Sequence, residues 1–214
     1  MSALQQTDSP STCPISNWGG PWGLANTTAT RLMQPGGVPG TATFNAGWSA
    51  AAPVGSEGII VQWQSTELGR EFWPSGTWTV DLVVTAGNPR LAWTELWLYR
   101  VSQSCTLKMQ LVSVTVGPIA LATGGTYTVA ATAPMTVGAM SDSVVALIVA
   151  RKVAAGSGLI TIKPNGMMET PMDRIVGASG PAFGNAARPR VAGVIARAGV
   201  IGQAVNTRIR GGIV

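Results

Sequence analysis

The chain contains no histidine. That one absence removes the Ser-His-Asp and Cys-His nucleophile systems, together with most zinc and iron sites. Charge is scarce as well: only 11% of residues are ionic, where soluble proteins carry roughly a quarter. The nine carboxylates are scattered, with no closely spaced acidic pair that would suggest a metal site. Glu67 and Glu71, four apart, read as solvated loop residues and not as a glycosidase pair. The glycine pairs at 19–20, 36–37, 124–125 and 211–212 lack the following Lys-Ser/Thr of a phosphate loop. The two cysteines, Cys13 and Cys105, show no CxxC spacing and no zinc signature, and read as two unrelated small side chains. No apolar run approaches the roughly eighteen residues of a membrane span. The opening MSALQQTDSPST is polar, without a basic-then-apolar leader. These absences predict a protein made in the cytoplasm, soluble or assembled, not inserted in a membrane. They also predict no enzyme activity and no cofactor.

Glycine (27) and proline (14) are plentiful. A surface built from Ser, Thr, Asn and Gln in place of ions suits a protein packed against neighbours. The net charge of +5 is unevenly placed. Residues 1–173 balance at −1, and residues 174–214 carry Arg174, Arg188, Arg190, Arg197, Arg208 and Arg210 with no acid, a balance of +6. Such an asymmetry suits nucleic acid, a membrane surface or an acidic protein groove. No aromatic follows Phe183 to stack on bases. No nucleic acid is therefore expected, and an acidic groove on a partner subunit is preferred.

The clearest local signal is FWPSGTWTVDLVVT, residues 72–85. After the Pro74–Gly76 turn, Trp78, Val80, Leu82 and Val84 alternate with Thr77, Thr79, Asp81 and Thr85, which marks a strand with one buried face. Further strands are predicted over 41–46, 58–64, 91–102, 107–116, 126–132, 143–151 and 158–163, separated by Gly-, Pro-, Asn- and Ser-bearing turns. The 143–151 run is apolar in both registers, as in a strand covered on both faces. The pattern predicts an all-β chain, an antiparallel β-sandwich, with no helix of respectable length between 41 and 163. Residues 1–40 read as an extended N-terminal arm, 41–172 as the sandwich domain, and 173–214 as a Gly/Ala/Arg-rich C-terminal assembly arm. On this reading the domain folds without either arm.

All eight tryptophans lie in the first 97 residues. Trp18 and Trp22 stand in the polar arm as anchors. In LAWTELWLYRV either register could face the core. With Leu96 and Leu98 inward, Trp93, Trp97 and Tyr99 form an exposed aromatic row suited to a subunit contact or to sugar stacking. Alternatively the same rings pack under the N-terminal arm or against a symmetry mate.

The order FWPSGTWTVDLVVT, LWLYRVSQSCT, TYTVAATAP, SDSVVALIVARK, SGLITIKPNGMMETPM over residues 71–172 resembles a jelly-roll β-sandwich domain of tailed-bacteriophage structural proteins. That pattern has an F-P-x-G-x-W-x-V turn and strand, an LYRV strand, and a G-x-I-T-I strand leading to a Thr-Pro exit. The chain departs from it by placing Trp73 before Pro74. The resemblance implies a virion component of tail, baseplate or capsid decoration, a homo-oligomer or a partner of other virion proteins. The contact residues expected are Trp18, Trp22, Trp93, Trp97, Tyr99, Arg188, Arg190, Arg197, Arg208 and Arg210. The alternative is a carbohydrate- or host-receptor-binding module, with a host-surface glycan on the aromatic row.

Overall fold

A computed structural model describes residues 2–172, apart from 17 and 19. The expected C-terminal arm, with its six arginines, lies outside the described residues. Those described are all-β, with no helix. The strands are β1 (Ser2–Gln6), β2 (Gly23–Pro35), β3 (Phe44–Trp48), β4 (Glu57–Ser65), β5 (Phe72–Trp73), β6 (Gly76–Ala86) and β7 (Leu91–Val101). They continue as β8 (Leu107–Ala120), β9 (Gly125–Ala133), β10 (Thr136–Val137), β11 (Ser143–Lys152), β12 (Gly158–Ile162) and β13 (Met167–Thr170).

One hydrogen-bonded path runs β1-β13-β6-β12-β3-β2-β4-β11-β7-β8, with β9 added to β6 and β1 also paired to β2. The path folds over into a sandwich. One layer is built from β8, β7, β11 and β4, the other from β9, β6, β12 and β13, and β1, β2 and β3 join them along one side. Between the layers lies the main core, with Trp78, Val80, Leu82 and Val84 of β6 against Leu96, Leu98, Val144, Ala146 and Ile148 of the facing layer. The β6 alternation thus appears as the sequence predicts, because the Thr and Asp positions between these residues point away from that core.

The eight expected strands all form, within a few residues of their predicted ends. Two expectations change. First, the pairing is not wholly antiparallel: β2 runs parallel to β4, with a register shift between Leu24 and Ala29. Second, residues 1–40 are not a free arm. β1 pairs with β13 and β2, and β2 lies between β3 and β4 in the sheet. SALQQ and GLANTTATRLMQP bury only every second to fourth residue, Leu4 and Met33 among them. So little apolar periodicity hides a strand from sequence, and pairing with partners far along the chain supplies what local preference lacks.

A second, smaller cluster covers the outer face of the β4–β11–β7 layer. Val145, Leu147 and Val149 of β11 meet Ile59, Tyr99 and Val101 there, beneath Cys13 and Trp22 of the segment joining β1 to β2. β11 is therefore covered on both faces, as its doubly apolar run indicates.

Candidate functional site: two interaction surfaces

The first surface is occupied by the chain itself. Residues 7–22 contain no strand among those described, yet they are tied down at many points. Gln64 is the main tether: its Oε1 accepts from the Cys13 amide at 2.9 Å and also from the Ser11 hydroxyl, and its Nε2 donates to Thr12 Oγ1 at 3.0 Å. Gln62 accepts from the Ser16 amide at 3.2 Å and donates to the Pro14 carbonyl at 3.2 Å. Both glutamines sit on the outward side of β4, where an apolar residue could not satisfy the backbone groups of the strap around Cys13 and Ser16. The Trp18 indole donates to the Cys105 carbonyl at 3.3 Å. Finally, Cys13 and Cys105 are joined in a disulfide, Cα atoms 5.4 Å apart across 92 residues of sequence. Reading these cysteines as unrelated side chains is corrected here. Spacing carried no hint of the bond, because the fold alone brings the β7–β8 turn over the strap.

The aromatic row is corrected as well. Trp93 is 0% and Tyr99 1% exposed, and Trp97 is partly buried. The row is also not one row. Trp93 joins the inner core with Leu96 and Leu98, whereas Trp97 and Tyr99 belong to the outer cluster. The pairing of β7 with β11 slips between Trp93 and Glu95, where β7 spends two residues against one of β11, and this bulge moves Trp93 to the opposite face. Strict parity along LAWTELWLYRV cannot anticipate it. Trp22 packs edge-on to Trp97, and Trp18 lies 5.9 Å from Tyr99. Four of the five predicted aromatics therefore do converge, but under the chain's own strap. Burial pushes the Tyr99 phenol up to about 12, and its hydroxyl meets no acceptor.

The second surface is open, and no pattern in the sequence marks it. β5 and β10 form a separate two-stranded pairing in which Phe72 faces Val137. Both are exposed, by 50% and 68%. Exposed Met135 and Met140 flank β10 in sequence, and exposed Met109 on β8 accepts a hydrogen bond from the Thr136 hydroxyl at its sulfur. Between β8 and the loop after β10 lies a cleft of about 340 Å³, floored by Arg100 and Asp142 and lined by Lys108, Met109 and Val137.

That floor is tightly built. Arg100 Nε donates to Asp142 Oδ2 at 2.7 Å, with both side chains almost fully buried. The guanidinium lies 4.1 Å from the Trp73 ring centroid, and Asp142 also accepts from the Ala139 amide at 3.0 Å. A side chain at Gly138 would meet both partners at 2.5 Å, so only glycine lets the loop close over the pair. Arg100 Nη1 and Asp142 Oδ1 have no protein partner. Among the described residues no three of Cys, Asp and Glu converge on a common point.

No protein-family model matches the chain, and no curated protein matches it in sequence. Among solved structures, the K3 cleaved adhesin domain of Lys-gingipain from Porphyromonas gingivalis w83 is similar at 12% identity and a TM-score of 0.32, over 59% of this chain and 71% of that one.

Proposed function

We propose that the chain is a structural subunit of a bacteriophage particle, in a jelly-roll-like sandwich that acts by contact with other virion proteins and copies of itself. The observation that carries the contact reading is the exposed apolar group around β5 and β10: Phe72, Met109, Met135, Val137 and Met140 beside a rigid floor. Exposed apolar side chains gathered in one place mark interaction sites, and methionine adapts to a partner's shape at little cost. The virion assignment is supported by the segments that carry the resemblance, which are successive strands of the sandwich. The glycan alternative has lost its support, because the rings it needed are covered.

Two measurements test the proposal. Purified particles of the genome that encodes the chain should contain it by mass spectrometry, in a stoichiometric and not a trace amount. In sedimentation velocity with those partners, Val137→Asp and Phe72→Asp should abolish co-sedimentation without changing the fold. A chain ending after Asp173 should likewise stay folded and fail to incorporate, which tests the basic C-terminal segment separately. Absence from the particles would overturn the virion reading; unimpaired binding by both aspartate variants would overturn the contact surface.

A further inference from the structure

We propose that the Cys13–Cys105 disulfide is a redox latch: reduction frees the strap from residue 10 to residue 22 from the outer face while the sandwich beneath stays folded. The latch stands on the strap's own contacts and is independent of the assembly reading.

Three features of the structure carry it. The two hydrophobic clusters are separate, and the larger one between the layers contains no residue of the strap. Losing the strap therefore leaves the inner core intact. At its start the strap is pinned to β2, where the Thr7 amide donates to the Leu32 carbonyl at 3.0 Å and the Ser9 carbonyl accepts from the Leu32 amide at 2.9 Å. Beyond that point its hold on β4 runs mainly through two side chains, Gln62 and Gln64. Segments held chiefly by side-chain bonds, outside the main core, are the ones that open locally, ahead of the strands around them. Finally, β1 and β2 bracket the strap and are both sheet strands, so opening it requires no other element to move.

The bond is also open to attack from one side. Cys13 is 2% exposed. Cys105 is only partly buried, on a turn whose Gln103, Ser104 and Thr106 are exposed. A thiolate of an external dithiol would attack Cys105 Sγ; the S–S bond breaks, and Cys13 Sγ leaves as a thiolate that takes a proton from water. The reductant's second thiolate then displaces Cys105 Sγ. Two electrons pass to the protein, and the dithiol departs as its own disulfide. With the strap released, Trp97, Tyr99, Leu147 and Val149 become accessible. A chain synthesised in reducing surroundings would carry this face open and close it on meeting an oxidant.

The test is hydrogen exchange of the full chain before and after dithiothreitol, beside the Cys13→Ser/Cys105→Ser variant. On reduction, the Cys13 and Ser16 amides should exchange at least tenfold faster and well ahead of the amides of β4, β7 and β11, which stay protected as in a folded sandwich. Chymotrypsin should then cut after Trp18 or Trp22. Equal protection of the strap in both states would overturn the proposal, as would loss of protection in strap and strands together. Free thiols that persist by mass spectrometry after the folded protein is treated with oxidised glutathione would overturn it too. If the double variant does not fold, reduction of already folded wild-type protein decides the question alone.

Discussion

Trp22 stands edge-on to Trp97, ring centroids 4.2 Å apart and planes 76° from parallel. The first residue belongs to a segment with no strand of its own, the second to the middle of the sheet, so this contact does much to seat the strap. Edge-to-face pairs are favourable because the positive rim of one ring meets the negative face of the other. Trp97→Ala should cost about 2–3 kcal/mol, below the 3–5 typical of fully buried tryptophan, because Trp97 is only partly covered. Urea unfolding would measure it. Trp22→Ala combined with Trp97→Ala should cost less than the sum of the two, since the partners touch.

The floor of the open cleft gives a second, sharper expectation. Arg100→Met leaves the Asp142 carboxylate buried without its cation, at a cost of about 3–5 kcal/mol. Arg100→Met with Asp142→Leu should recover part of that loss, because two apolar residues no longer strand a charge. Equilibrium denaturation of the two single variants and the double would show the coupling. A loss under about 1 kcal/mol for Arg100→Met would place the pair with ordinary surface ion pairs and would contradict the burial found here.

Much of this architecture is legible in the sequence, and the reason is local. FWPSGTWTVDLVVT and SVVALIVAR announce their strands because the alternation of the first and the double apolar register of the second follow from which faces are covered. What stays hidden depends on contacts far along the chain. β1 is a strand because β13 and β2 lie beside it, and Cys13 finds Cys105 only after the β7–β8 turn is in place. The β7 bulge inverts Trp93 without any glycine or proline to mark it. The open cleft is likewise unmarked, since an exposed Val137 and a buried one look alike in sequence.

Lys152 is fully buried and donates to three backbone carbonyls, Ser49 at 2.9 Å, Ala50 at 3.2 Å and Ala52 at 2.5 Å. An ammonium has three donors, so the match is complete and the loop after β3 is gathered around it. Lys152→Met keeps the apolar stem but leaves those carbonyls without their donor. A loss of about 3 kcal/mol follows at roughly 1 kcal/mol or more per unsatisfied group. Exchange of amides in the 49–56 loop should accelerate in the same variant.

Alkali should weaken the fold through Tyr99. Burial raises its phenol to about 12 from its ordinary 10.0. Between those two values the folded protein keeps a proton that the unfolded chain has lost. The stability that Tyr99 confers is whole below the unfolded value and falls as pH rises through the window, since the folded state there binds more protons. Tyr99→Phe removes this dependence. Urea midpoints measured from pH 9 to pH 11.5 should therefore fall more steeply for wild type than for the variant; equal slopes would mean that solvent reaches the hydroxyl.

The last expectation concerns residues 1–40, which sequence patterning treats as dispensable. Removing them takes away β1 and β2, and with β2 the strand joining β3 to β4 along the sheet. β4 would lose its parallel neighbour, and β13 its partner β1. The main core would lose Leu4 and Met33, each completely buried. Asp8 would go too, and with it the carboxylate that accepts from the Thr41 amide at 2.8 Å and the Ala42 amide at 3.1 Å. So would the disulfide, whose ring spans 92 residues and which contributes about 4–5 kcal/mol in the chain-entropy model. Set against a typical total of roughly 5–15 kcal/mol, these losses together exceed what the domain can spare. A chain trimmed to 41–172 should aggregate or melt without cooperativity, its newly bared strand edges pairing with other molecules. A chain trimmed to 1–172 should give a β-type circular dichroism spectrum and one cooperative transition. A cooperative melt of the 41–172 chain would show that the eight central strands suffice, and that β1 and β2 are additions to a sandwich already complete.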